Sequence, residues 1–158
     1  IRDRAVEDIP MHIARNKAIA LMADPAFIHF EGKCPVLAAD TIVVLDGKVI
    51  GKPGDRVEAI EILHALSGKT HRVITGVVLK HEGREWSFSE TTEVSFYPLT
   101  SKQITFYVDE YGPFDKAGAY AIQEWIGVTG IEKINGDFYN VMGLPISKVV
   151  RLLNELQL

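Results

Sequence analysis

A carboxylate and an amine with the chemistry of a phosphate site lie close together in the sequence. Asp40 interrupts the apolar run VLAADTIVVL, whose composition predicts a strand buried on both faces, and Lys52 follows within a Gly-Lys-Pro triplet. A buried charge is costly unless a cation or hydrogen-bond donors meet it, so Asp40 needs a partner. In proteins, magnesium is usually bound by carboxylates and water molecules, and such sites usually serve phosphate substrates. Two interpretations stay open on these residues alone: a phosphate-and-metal site, or a structural ion pair between Asp40 and Lys52.

The element that must position both groups is a β-hairpin. The Asp-Gly pair at 46–47 suits a type I′ turn, and 48–50 can return as the second strand. Residues 51–53 would then leave that strand near the level of Asp40. We therefore expect the amine and the carboxylate to face one cleft.

Helical periodicity and capping residues predict four helices. They cover about 8–22, 55–68, 100–113 and the residues from 145 onward. Asp8 is the expected cap of the first helix. Asp55 with Glu58 opens the second, and Thr100 with Gln103 forms a capping box at the third. The residues expected to face the core are Met11, Ala14, Ala18, Leu21, Met22, Ile60, Leu63, Leu66, Ile146, Val149, Val150, Leu153 and Leu156.

Apolar and alternating patterns predict further strands at 70–80, 85–96 and 131–134. Because helices alternate with strands and hairpins, the expected fold class is α/β, with a mixed central sheet flanked by helices. A length of 158 residues, 47% of them hydrophobic, predicts a single domain over 1–158 with a sizeable core.

The segment DKAGAYAIQ, at 115–123, allows two interpretations. One is a turn and a strand with an ordinary surface ion pair. The other is a segment that approaches a ligand, because its small residues permit close contact with the backbone. Asp115, Lys116 and Gln123 would add charge and an amide to such a contact.

Composition and motif inventory exclude several classes of protein. A formal net charge of −4 without a basic stripe argues against a nucleic-acid polymer as partner. The single cysteine, Cys34, excludes an internal disulfide and fits a reducing compartment, so we expect a cytoplasmic protein without a membrane span. The five histidines lack zinc-site spacing, and the sequence SGKT at 67–70 lacks the upstream glycine of a P-loop.

Four segments of the chain, in order, resemble the Maf family of nucleoside triphosphate pyrophosphatases. They are AADTIVVLDGKVIGKP, LSGKTHRVITGV, FDKAGAYAIQ and INGDFYNVMGLPISKV, and the resemblance covers nearly the whole chain. It implies a fold similar to that of the inosine triphosphate pyrophosphatases. It also implies hydrolysis of a nucleoside triphosphate to monophosphate and pyrophosphate with a divalent cation, Mg or Mn, usually in a homodimer.

The resemblance assigns roles to individual residues. Asp40 matches the family's proton acceptor and is also a candidate ligand of the cation. Lys52 and Lys17 match its phosphate-binding lysines, and Asp115 and Lys116 are candidates for supporting roles. Family members also begin with a strand and a loop reading approximately S-x-S-P-R-R. Since this chain starts at Ile1 and enters a helix almost at once, we expect a fragment without that segment.

The resemblance also addresses substrate choice. Thr41 and Gln123 match positions tied to recognition of the base. The AGAYAIQ form of the third segment resembles the branch acting on dTTP, UTP and related pyrimidine nucleotides, and an amide can pair with an imide edge as donor and acceptor. Two alternatives are a 7-methyl-GTP pyrophosphatase and a non-catalytic module that binds nucleotide or acts in septum inhibition.

Overall fold

The computed structural model describes residues 5–158, which form a five-stranded sheet and six α-helices. The strands are β1 (Val36–Leu45), β2 (Lys48–Ile50), β3 (Thr70–His81), β4 (Arg84–Phe96) and β5 (Ile131–Asn135). The helices are α1 (Asp8–Ala23), α2 (Arg56–Leu66), α3 (Ser101–Tyr111), α4 (Trp125–Gly130), α5 (Phe138–Val141) and α6 (Ile146–Glu155). Two 3-10 turns span Pro25–His29 and Ala117–Ala119. The predicted α/β class, a central sheet flanked by helices, is confirmed.

The sheet has the strand order β2-β1-β3-β4-β5, and the outer pairs β1–β2 and β4–β5 are antiparallel. Leu45 faces Lys48 across the first hairpin, which leaves a two-residue turn. Asp46 and Gly47 in that turn have φ values of 50° and 76°, as a type I′ turn requires. The hairpin predicted from the Asp-Gly pair is therefore confirmed.

The chain forms two compact units, each assembled from separate stretches of sequence. The first unit comprises the residues up to Thr41 together with 75–90 and 143–158. The second comprises 42–74 and 91–142. The expectation of a single domain over 1–158 stays a prediction.

In the first unit, α1 lies directly against the β3 backbone. A side-chain carbon added at Gly76 would lie 2.2 Å from the backbone nitrogen of Met11, so the close approach requires glycine. Ala14 and Ala18 are fully buried on the same helix. They pack with Val36 and Val78 in a small core.

Two details of the predicted first helix are wrong. The N-cap is Glu7, without a side-chain cap bond, and Asp8 is the first helical residue. Leu21 and Met22, expected in the core, are 49% and 44% exposed. The small core takes its buried α1 residues, Ala14 and Ala18, from the preceding turns.

The second unit contains the larger core, in which α2 and α3 contribute Ala59, Leu63, Leu66, Ile104, Tyr107 and Val108. Asp55 caps α2 by accepting a hydrogen bond from the Glu58 N–H. At α3 both bonds of the capping box are present, at 3.1 Å from Gln103 N to Thr100 Oγ1 and 2.9 Å in return. The helix starts predicted from these residues are confirmed.

Other expectations need correction. Residues 115–123 form no strand, because Gly118 and Ala119 adopt left-handed φ values of 75° and 58° in a 3-10 turn. The short helices α4 and α5 were not predicted, since they are too brief for periodicity to show. In α6, Val149 is buried but Ile146 and Val150 are exposed. The prediction that Ile146 and Val150 face the core is therefore wrong.

Candidate functional site

Asp40 lies in the half of β1 that is only partly covered. The last four residues, Ile42–Leu45, are buried, whereas Leu37 is exposed and the Asp40 side chain is 19% exposed. The prediction of a strand buried on both faces is therefore wrong for the part that carries the carboxylate. The Asp40 side chain is thus mostly covered but still reaches solvent, as a group that acts on a ligand must.

The partner of Asp40 is a lysine of α1. Lys17 Nζ lies 2.7 Å from Asp40 Oδ1 and also donates to the carbonyl oxygen of Ala39 at 3.3 Å. The next residue, Ala18, is fully buried on the same helix. The structural pair considered from sequence joined Asp40 to Lys52. That assignment of the ion-pair partner is wrong, since Lys17 occupies the position.

Both members of this pair keep unused hydrogen-bonding capacity. Asp40 Oδ1 accepts from Lys17, while Oδ2 accepts no hydrogen bond from residues 5–158. An ammonium has three hydrogens, and Lys17 directs two of them to Asp40 and Ala39. The pair thus presents one free carboxylate oxygen and one free N–H, with the Lys17 side chain 54% exposed.

The residue after Asp40 is fixed by a chain of hydroxyl groups. Thr41 Oγ1 donates to the carbonyl oxygen of Gly143 at 3.2 Å and lies 2.8 Å from Thr75 Oγ1. Thr75 is fully buried. Since a hydroxyl has a single hydrogen, Thr75 is the donor to Thr41. This network anchors the C-terminal end of the partly covered segment of β1.

In the second unit, Lys52 is an exposed cation without a fixed partner. It makes no hydrogen bond or ion pair with the part of the chain that the structure describes. The hydrogen bond from Lys116 holds the pKa of Asp115 below its ordinary value, and the nearby charge of Lys52 contributes a smaller part. Lys52 therefore stands near Asp115 with its own ammonium available to an anion.

The two expected supporting residues belong to an extended charge cluster. Lys116 Nζ lies 3.3 Å from Asp115 Oδ1 and 4.0 Å from Glu124 Oε1. Gln123 follows the same loop, is exposed, and makes no hydrogen bond within 5–158. Its amide is thus free to contact a ligand. Glu124 was not singled out from sequence, although it follows directly after the segment that was.

The loop that carries Gln123 is held by groups that sequence reasoning missed. The Tyr120 hydroxyl lies 2.6 Å from His71 Nε2, and the Ala121 N–H donates to the Tyr107 hydroxyl at 3.0 Å. Burial raises the pKa of Tyr107 well above its ordinary value, and the Glu124 carboxylate adds to this shift. His71 stands between Thr70 and Arg72 at the polar start of a strand pattern, so no signal in the sequence pointed to this role.

A divalent cation would find few protein ligands here. Among residues 5–158, no group of three or more His, Cys, Asp or Glu side chains could hold a metal ion. Magnesium, however, is often bound through one carboxylate together with substrate phosphates and water. The free Oδ2 of Asp40 fits that arrangement and does not fit a cage made of protein side chains.

No helix within the described range 5–158 combines the length and apolar character that crossing a membrane would require.

Comparison with known proteins gives a consistent result. Residues 2–156 match the family described as Maf-like protein. The dTTP/UTP pyrophosphatase of Bacteroides fragilis is 49% identical over 154 residues, covering 95% of this chain and 75% of that protein. The protein of the same name from Bacteroides thetaiotaomicron is 48% identical, with 98% and 77% covered. That of Porphyromonas gingivalis is 43% identical, with 96% and 73% covered.

Proposed function

We propose that this chain, which belongs to the Maf family, hydrolyses dTTP and UTP to the monophosphate and pyrophosphate. Relatives at up to 49% identity carry the name dTTP/UTP pyrophosphatase. The structural observation that supports the proposal is the Lys17–Asp40 pair, in which the proposed phosphate-binding ammonium lies 2.7 Å from the proposed base. We take the unused carboxylate oxygen and N–H of this pair as capacity for a ligand.

Asp40 is the proposed general base. Its Oδ2 would take a proton from a water molecule as the water oxygen attacks the α-phosphorus. The bond between that phosphorus and the α,β-bridging oxygen then breaks, and pyrophosphate leaves with the electron pair. Lys17 keeps Oδ1 engaged and so holds the carboxylate in one orientation.

The lysines are the proposed phosphate ligands. Lys17 would offer its remaining N–H to a phosphate oxygen without giving up its bond to Asp40. Lys52 would bind phosphate with an ammonium that has no fixed partner within 5–158. Each charge-assisted hydrogen bond of this kind contributes about 1.5–3 kcal/mol. Asp115 would support Lys52 electrostatically, and Lys116 would hold Asp115 in place.

Gln123 and Thr41 are the proposed determinants of base choice. The Gln123 amide offers both a donor and an acceptor, which matches the carbonyl and N–H groups of a uracil or thymine edge. A site built to form such hydrogen bonds rejects bases that leave them unmade.

The proposal includes a divalent cation, Mg or Mn, which the substrate phosphates and water would hold together with the second lone pair of Asp40 Oδ2. Such a cation would neutralise phosphate charge during the reaction. We further propose a homodimer and a cytoplasmic location, the latter on the ground that Cys34, the single cysteine, is a free thiol.

The decisive experiment identifies both products from dTTP, UTP, CTP, GTP and 7-methyl-GTP in the presence of magnesium. Release of pyrophosphate and monophosphate, fastest from dTTP or UTP, supports the proposal. Release of inorganic phosphate with a diphosphate would place the cleavage at another bond. A preference for 7-methyl-GTP would assign the chain to the alternative branch. Binding without turnover would favour the non-catalytic module.

A further inference from the structure

A buried aromatic cluster in the second unit holds the loop that carries Gln123. His71, Phe96 and Tyr120 are each at most 5% exposed. The His71 ring is stacked on Phe96 at 5.6 Å, and Tyr120 meets both rings edge-on at 5.4 and 5.1 Å. The Tyr120 side chain therefore has one position, because rings packed on two sides leave no alternative rotamer space.

A hydrogen bond within this cluster fixes the hydroxyl end of Tyr120. His71 Nε2 lies 2.6 Å from the hydroxyl oxygen, and His71 Nδ1 is buried without a hydrogen-bond partner among residues 5–158. A protonated ring would need partners for two N–H groups, so the buried ring is neutral. In agreement, burial lowers the pKa of His71 to about 4. Nothing in the proposed chemistry uses this histidine directly.

The loop is anchored at two further points on either side of Tyr120. The Gly118 N–H donates to the Gly51 carbonyl oxygen at 3.2 Å, which ties the loop to the residue before Lys52. The Ala121 N–H donates to the Tyr107 hydroxyl at 3.0 Å. Left-handed φ values at Gly118 and Ala119 give this stretch no regular ladder of backbone hydrogen bonds. Its conformation therefore depends on these individual anchors, one from the backbone of Gly51 and one from the Tyr107 side chain.

We propose that His71, through its hydrogen bond to the Tyr120 hydroxyl, is a positioning residue that sets the Gln123 amide for recognition of the base. The inference rests on the proposed function and adds a residue that does not touch substrate. Gln123 is exposed and makes no hydrogen bond of its own within 5–158, so its position comes from the backbone that His71 and Tyr107 hold. A shift of this backbone moves the amide away from the base edge.

Four variants separate positioning from plain packing. His71→Phe fills the cavity but loses the hydrogen bond, and Tyr120→Phe removes the hydroxyl with almost no change in shape. His71→Gln restores an amide that can bond the hydroxyl. Phe96→Leu disturbs the same cluster, which lowers stability, but leaves both partners of the hydrogen bond in place.

The first readout is the ratio of kcat/KM for UTP to that for GTP. His71→Phe and Tyr120→Phe should lower this ratio about tenfold, mainly by raising KM for UTP, since one misplaced base contact is worth about 1.4 kcal/mol. His71→Gln should recover most of it, and Phe96→Leu should keep it. An unchanged ratio in Tyr120→Phe, or an equal loss in Phe96→Leu, would overturn the inference.

The second readout is amide hydrogen exchange over 117–124, which needs no turnover. Protection at Ala121 should fall about tenfold in His71→Phe and Tyr120→Phe, while protection in α2 stays at the wild-type level. Unchanged protection over 117–124 would refute positioning even in an active enzyme. If the wild-type protein hydrolyses no triphosphate, the proposed function fails, and the exchange result then decides on its own whether His71 positions the loop.

Discussion

Lys17 and Asp40, separated by 23 positions in the chain, meet at 2.7 Å between Nζ and Oδ1. One residue lies on α1 and the other on β1, so the pair exists only when the helix is seated on the strands. Within residues 5–158 each partner keeps one unused hydrogen-bonding site, and the Lys17 and Asp40 side chains are 54% and 19% exposed.

Replacing Asp40 by Asn should remove most of the activity without unfolding the protein. An amide of the same size cannot accept a proton at neutral pH, and loss of a general base typically costs a factor of about 100 to 10,000. The measurement is pyrophosphate release from dTTP together with a thermal midpoint. The matched control is Asp46→Asn, in the exposed hairpin turn that directly follows β1. Asn tolerates the left-handed φ of 50° found there. An undiminished rate in Asp40→Asn would remove the carboxylate from the mechanism.

Local signals explain what could be predicted from sequence. The turn at 46–47 and the caps at Asp55 and Thr100 depend on residues within four positions of one another, and all were predicted correctly. Asp40 was singled out from its place in an apolar run, whereas a role for Lys17 came only from the family resemblance. Their contact depends on the packing of α1, which no local pattern encodes. The expectation that Lys52 and Asp40 face one cleft stays a prediction.

Non-local contacts also explain what was missed. His71 lies 49 positions from Tyr120, its hydrogen-bond partner, and a lone histidine at the polar start of a strand pattern gives no indication of such a distant group. A turn followed by a strand was one of the two interpretations of residues 115–123. The left-handed pair at Gly118 and Ala119 excludes a regular strand.

Replacing Gln123 by Glu should weaken the preference for pyrimidine nucleotides. A carboxylate accepts hydrogen bonds but cannot donate to a base oxygen, so one of the two proposed base contacts is lost. We expect kcat/KM for UTP to fall about 10- to 100-fold, with a smaller effect on GTP. Competition assays with mixed triphosphates directly measure the ratio of kcat/KM for UTP to that for GTP. Gln157→Glu, in the last turn of the chain, serves as control for the added charge. A wild-type ratio in Gln123→Glu would show that this amide does not read the base.

Stability should depend on pH through His71. Burial lowers its pKa from 6.5 to about 4, so the unfolded chain binds a proton in that interval while the folded chain does not. The free energy of unfolding should therefore fall as pH drops from about 6.5 to about 4. At about 1.4 kcal/mol per pKa unit, the total loss is about 3 kcal/mol. His71→Gln, which cannot titrate, should lack this component. Urea unfolding of both proteins at pH 7 and pH 4.5 provides the comparison; parallel losses in the two proteins would contradict the assignment.

Replacing Gly76 by Ala should destabilise the first unit. The added carbon would lie 2.2 Å from the Met11 nitrogen, so α1 must move away from β3. Overpacking of this kind typically costs about 1–3 kcal/mol. Gly51→Ala is the matched control, since nothing lies within 4 Å of the added carbon. Chemical denaturation measures the free energy of unfolding of both variants. Because α1 also carries Lys17, the Gly76 variant should lose activity as well, and a fully active, stable variant would show that the helix tolerates the shift.

The Thr41 hydroxyl donates to the Gly143 carbonyl oxygen, and the Thr41 oxygen itself accepts from the Thr75 hydroxyl. Toward any ligand, Thr41 therefore has only a lone pair to offer. Uracil and thymine carry an N–H at the ring nitrogen between their two carbonyls, whereas cytosine has a lone pair at that atom. A base that reaches Thr41 would therefore meet a hydrogen-bond acceptor. The direction of this one hydroxyl hydrogen would favour uracil or thymine, which present an N–H, over cytosine, which presents a lone pair and has nearly the same shape.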